Sequence, residues 1–244
     1  MDRIRWIALA AATLGGAPAA AQHWEPGTAC TAFLTVQSSN CEVTTYWRCD
    51  LAPEGYVFEA THDADGRSMA AIYDREFQWL DTTWGDGWRD VLIQPSADPI
   101  STSNLLATGL DAYDFELMSS GPDPVDGVTL TRVRGVDILL GETVEIDGMT
   151  LERTSFMNTF ARPDGRVTDI GRGLQYFSRE HGLFFLGQEE WITDDGIDRY
   201  DATPVAFILP GEPGFGATTP EHGCEGGVAG DNPAPKDESG AKGN

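Results

Sequence analysis

The chain has 244 residues, 39 of them acidic and 16 basic, for a formal charge of −23. So acidic a surface argues against nucleic acid or an anionic membrane as partner, and favours solubility, cations or a basic partner. The length is enough for one β domain with a sizeable core.

Residues 1–21 read as a cleaved secretory leader. Arg3 and Arg5 precede an apolar run, Trp6 to Leu14, that is too short to span a bilayer, and small residues at Ala19 to Ala21 mark the cut. Cleavage near Ala21 leaves 14 basic and 38 acidic residues, a net charge of −24. No later segment has the length and apolarity of a transmembrane helix. The expected product is periplasmic or secreted.

Four cysteines in an exported chain point to two disulfides. "CEVTTYWRCD" reads as one strand, so Cys41 and Cys49 lie roughly 26 Å apart, whereas a bridge needs Cα atoms within about 7 Å. "CTAFLTVQ" reads as the strand before it, turned back by "SSN". A hairpin folded about Ser39 sets Cys30 against Arg48 or Cys49. The expected bridges are therefore Cys30–Cys49 and Cys41–Cys224.

Strand signals continue with "YVFEATHD", "SMAAIYD", "EFQWLDTTW" and "WRDVLIQP", broken at Asp65-Gly66 and at "GDG", residues 85–87. One helix fits "STSNLLATGLDAYDFEL", capped by Ser101 or Ser103 and ended by Gly109. From Val128 the strands become long and regular, with turns at Asp147-Gly148, Asp164-Gly165, His181-Gly182 and Asp195-Gly196. A strand every 8–14 residues is the rhythm of an antiparallel meander. Residues 22–210 thus read as a single all-β domain. Residues 210–244 contain 9 Gly and 5 Pro, so 211–244 reads as a flexible tail.

HExxH, GxSxG, a P-loop and GxGxxG are all absent. Ser178, Arg179, Glu180 and His181 are adjacent, but neighbours on a strand face opposite ways, so the segment reads as a turn rather than a catalytic set. His62 and His181 could meet in the fold, although two histidines alone make a poor metal site. Trp79, Trp84 and Trp88 around Asp86 suit hairpin stabilisation, or stacking on a sugar or other ligand. Asp194, Asp195, Asp198 and Asp201 form the acidic turn best suited to calcium, the one cofactor considered. Asp-Gly is also ordinary hairpin chemistry.

"GETVEIDGMTLERTSF" and "GRVTDIGRGLQYFSREHGLFF" resemble exported bacterial β proteins whose antiparallel strands curl into a half-barrel. "CEVTTYWRCD", "GYVFEATHDADG" and "YDREFQWL" are similar to small secreted families of alphaproteobacteria. The resemblance implies a curled sheet and carries over no catalytic residue. The expected fold is accordingly an all-β meander curled into a half-barrel or barrel-like sandwich, with at most one short helix. The expected role is a non-enzymatic binding or scaffold module for an apolar small molecule or a protein partner. The alternatives are an envelope-glycan hydrolase using a carboxylate pair, and a calcium-stabilised adhesion or matrix protein.

Overall fold

The structure, a computed structural model, describes residues 27–224 apart from 124 and 126. The expected leader and the chain beyond Cys224 lie outside the described residues. The strands are β1 (Cys30–Ser38), β2 (Glu42–Cys49), β3 (Val57–Asp63), β4 (Gly66–Tyr73), β5 (Trp79–Trp84), β6 (Arg89–Leu92), β7 (Leu110–Ser120), β8 (Val128–Ile146), β9 (Met149–Ala161), β10 (Val167–Ser178), β11 (Leu183–Thr193), β12 (Gly196–Asp201) and β13 (Pro204–Ile208). The helix α1 (Thr102–Thr108) lies between β6 and β7.

All thirteen strands form one antiparallel sheet. Its order follows the chain from β12 down to β1, with β13 added beyond β1. Two residues, Ala202 and Thr203, therefore carry the chain from one margin of the sheet to the other. At about 3.8 Å per Cα step, that is possible only if the sheet has curled until its margins adjoin. The seam is held by single bonds rather than a ladder. The Ser39 hydroxyl donates to the Asp201 carbonyl at 2.6 Å. On either side of it, the Ser39 N–H reaches the Thr203 carbonyl at 3.0 Å, extending the β1–β13 pairing, and the Ala202 N–H reaches the Gly187 carbonyl at 2.9 Å, extending the β11–β12 pairing.

The concave face is the core. Leu34, Val36, Tyr46, Val57 and Phe207 on one limb pack against Leu151, Leu183 and Phe185 on the other. A second cluster joins Leu92, Ile100, Tyr113, Phe115, Leu117 and Val133, flanked by Trp79, Leu80 and Phe160. The helix plugs one end, where Leu105 packs with Phe177 and Phe184. Seven residues are too few for a helix to persist alone. This one is capped by the Ser101 side chain, which accepts from Asn104 N, and ended by Gly109 in the left-handed conformation.

The chain on both sides of Gly141 forms one long strand, β8. It is interrupted by an irregularity between Leu139 and Thr143. Beyond that kink the β8–β9 hairpin folds over the barrel end, and Val144, Ile146 and Met149 pack on the first cluster. Its turn uses Asp147 and Gly148, both at positive φ. Asp147 Oδ2 accepts the Phe207 N–H at 2.8 Å and so caps the margin strand β13.

The Cys30–Cys49 bond staples β1 to β2, whose register sets the two residues opposite each other. The Cys41–Cys224 bond closes 183 residues. Of the stretch expected to be flexible, only residues 211–224 are described. Residues 209–224 form turns laid on the outer face of β1, where Gly216 N donates to Thr35 Oγ1 and Glu221 N donates to Gln37 Oε1, each at 2.9 Å. Backbone-to-side-chain bonds anchor this stretch despite its glycine and proline content. Replacing Cys41 and Cys224 together by Ser is expected to cost roughly 2–5 kcal/mol in a denaturant melt, because the closed loop is long. A loss below about 1 kcal/mol would show that the clamp does little.

Candidate functional site

Strand alternation decides which side chains enter the barrel. On β3, Glu59 and Thr61 share the phase of Val57 and thus face inward. Glu59 is 7 % exposed. The Thr61 hydroxyl donates to its Oε1 at 3.2 Å and pairs with Thr44 at 2.9 Å. Burial drives the Glu59 carboxyl up to about 7, against the hydrogen bonds from Tyr73 and Thr61 and with the charge of Glu42 adding to the rise. Around it, burial holds the Tyr46 and Tyr73 phenols well above their usual range.

Two further acids face inward on the opposite limb. Asp137 stands directly across from Asp111. Burial, then the Asp111 charge, pushes it to about 7. Asp111 itself is held by the Ser101 N–H at 2.8 Å and the Asn104 amide at 3.0 Å. Glu189 on β11 is buried and shares the face of Trp191, two residues on. Its Oε2 accepts the Trp191 indole N–H at 3.1 Å, while Oε1 has no hydrogen-bond partner among the described residues. Burial also pushes Glu189 to about 7, opposed by the Trp191 bond and helped by Glu42.

Beside Glu189 lies a strip of rings. Phe115 and Trp79 meet edge-on with centroids 5.6 Å apart. Trp79 and Phe160 are near-parallel at 6.5 Å and 16°. Phe160 and Trp191 follow at 5.7 Å. Glycines make room for this packing. A Cβ on Gly135 would lie 2.5 Å from the Tyr113 ring, and one on Gly171 would strike Asn158 Oδ1 and come within 3.1 Å of the Trp191 indole. Asn158 is 3 % exposed, hydrogen-bonds the Tyr113 phenol, and leaves Oδ1 without a partner.

Of the residues singled out in the sequence, Trp79 belongs to this strip. Trp84 stands at the other end of β5 and donates to Asp90 at 2.8 Å. Asp86 accepts the Trp88 backbone N–H at 3.0 Å. The three tryptophans therefore do not form one surface around Asp86. His62 pairs with Val43 near the start of β2, whereas His181 meets Phe33 in a tilted contact at 5.8 Å, beside Arg48. Five residues of strand separate those places, about 16 Å, so the two histidines do not meet.

The segment Ser178–Gly182 is a turn. Gly182 N donates to the Ser178 carbonyl at 2.8 Å, and Gly182 adopts φ 68°. Arg179 faces Glu152. The four aspartates considered for calcium are strung along the β11–β12 hairpin. Asp194 pairs with Arg166, Asp198 lies opposite Trp191, and Asp201 accepts from Gln188 and Thr203. Among the described residues no group of three or more His, Cys, Asp or Glu could hold a metal ion. On the convex face, a hollow of about 200 Å³ is lined in part by Arg132, Arg134 and Arg162. Asp114 already engages Arg132 and Arg134 there.

Glu59, Asp137, Glu189 and Asn158 were missed as site residues. Their sequence signal is a carboxyl or amide in the apolar phase of a strand, as with Glu59 two residues after Val57. Comparison of the chain with protein-family models, curated proteins and solved structures finds no match. Among the described residues no helix is long and apolar enough to cross a membrane.

Raised carboxyls make the folded state bind protons that the unfolded chain has released. Their contribution is complete below about pH 4.5 and is lost as pH rises through about 7. Each shift is on the order of 3 kcal/mol. The lowered carboxyls Glu76 and Asp201 act oppositely, losing their contribution as pH falls below their usual range. Stability in urea should therefore peak near pH 5 and decline toward pH 8. Glu59→Gln is expected to flatten that decline, and an unchanged slope would contradict the assignment.

Proposed function

We propose that the protein is exported and acts outside the cytoplasm as a non-catalytic binding module, with its ligand seated on the concave face against Trp79, Phe160 and Trp191. Two disulfides support the compartment, because such bonds persist in oxidising surroundings. The observation that carries the site is the row of partly exposed rings beside buried acceptors that lack partners. A folded interior rarely leaves such atoms unsatisfied, and those that remain call for a water, an ion or a ligand. The rings offer an apolar ligand a broad stacking surface. Glu59, by contrast, is enclosed by Tyr46, Tyr73 and Thr61, which argues against a role as general acid on a large substrate.

The uncharged dye N-phenyl-1-naphthylamine tests this reading. Its fluorescence is expected to rise on titration with the protein, and to fall severalfold in Phe160→Ala when both are compared below the variant's own, lower melting transition. No enhancement with the wild-type chain would remove the concave-face site.

A further inference from the structure

The proposed site has a chemical bias. Both of its unpartnered atoms beside Trp191, Glu189 Oε1 and Asn158 Oδ1, are acceptors as placed. Glu189 is 6 % exposed and Asn158 3 %, so water does not freely satisfy either. The two are neighbours through Trp191. Its indole N–H bonds the other oxygen of Glu189, and its far edge lies beside Asn158 Oδ1 above Gly171.

The surroundings are acidic. Asp169 pairs in register with Phe160, and Asp198 pairs with Trp191. Glu42 is near enough for its charge to act on Glu189. The arginines nearest in sequence, Arg172 and Arg199, are engaged by Glu190, which alternation places on the opposite face from Glu189. Aromatic faces attract cations through their quadrupoles, most strongly where water is excluded.

Resting on the binding reading above, we propose that the occupant is an organic cation with a primary ammonium group, its apolar stem on Trp79 and Phe160 and its N–H donors on Glu189 Oε1 and Asn158 Oδ1. An ammonium supplies three donors and a charge, which matches two acceptors and a buried carboxylate. A quaternary ammonium has the charge but no N–H, so it leaves both acceptors bare.

Calorimetric titration at pH 8 with hexylamine, protonated there, against its neutral counterpart 1-hexanol tests the charge. Hexyltrimethylammonium tests the donors. Hexylammonium is expected to bind at least about tenfold tighter than hexanol, and the trimethyl compound to be weaker than hexylammonium. Glu189→Gln should bring hexylammonium to within about twofold of hexanol while leaving binding of the neutral dye intact. If that variant does not fold, Asn158→Ala should weaken hexylammonium severalfold and spare hexanol. Equal affinity for hexylamine and hexanol, an equally tight trimethyl compound, or indifference to these substitutions overturns the cation assignment, even where the dye still binds. A buried water alone would satisfy the acceptors and give no ammonium isotherm, which also overturns it. Failure of the dye and of every hexyl compound overturns the binding reading itself.

Discussion

Among the described residues, a sheet of thirteen strands and one seven-residue helix have only each other to pack against. Nearly every strand brings an apolar face that must leave water, at about 25 cal/mol for each Å² of apolar surface, the exposed β12 being the exception. With no second layer available, the sheet curls until Leu34 and Tyr46 on one limb meet Leu151 and Phe185 on the other. The remaining features serve that curl. The helix fills one end, the β8–β9 arm folds across the first cluster, and the Asp147 carboxylate caps an N–H that β13 would otherwise leave open. Curling also brings the two margins together without a ladder between them, and single bonds at Ser39 close the seam where a continuous barrel would use a strand pair.

Self-burial has a polar consequence. Alternation places Glu59, Asp137, Glu189 and Asn158 in the same phase as the core residues, so folding takes them out of water together with the leucines and phenylalanines. Burying a charged carboxylate without a cation is costly, and the protein instead favours its protonated form. Only some of these groups are then well partnered. Glu59 has hydroxyl donors, and Asp111, the neighbour of Asp137, has a backbone N–H and an amide. Glu189 and Asn158 keep unpartnered oxygens. If stability alone had shaped this interior, apolar residues of similar volume would serve better at those two places. That contrast separates the partnered acid of β3 from the equally buried but half-partnered one of β11.

Much of the fold was legible because the signals are local. Asp-Gly turns, the cap at Ser101, the stop at Gly109 and the two-residue alternation each act within a few residues, and together they give an antiparallel meander with one short helix. The pairing of Cys30 with Cys49 follows from the length of one hairpin. Long-range features were harder to read. The continuity of β8 through Gly141 depends on a kink that lets Val144 and Ile146 pack on the first cluster. The anchoring of residues 209–224 depends on Thr35 and Gln37, some 180 positions earlier in the chain. Of the site, Trp79 stood out by residue type, but its partners Phe160 and Trp191 come from β9 and β11, and no spacing in the sequence announces that they meet it. Trp84, Asp86 and Trp88 stood out for the same reason and belong to the β5–β6 hairpin.

Glycine links the curl to the site. In a flat sheet, neighbouring side chains on one face stand side by side and exclude larger groups. Here Gly135 on β8 lies under the Tyr113 ring, and Gly171 on β10 lies under both Asn158 and Trp191. Gly173, between Phe156 and Glu189 in register, has its missing side chain's place taken by the backbone of β11. Each glycine removes a Cβ from the concave face where β8 to β11 bend most closely around their neighbours. The strands can approach, and large side chains from adjacent strands lean into the vacated positions. The same absence that permits the bend brings an indole, an amide oxygen and a carboxylate together over β10. Filling Gly171 would therefore disturb both at once, because the atom it adds occupies the position at which Asn158 and Trp191 converge.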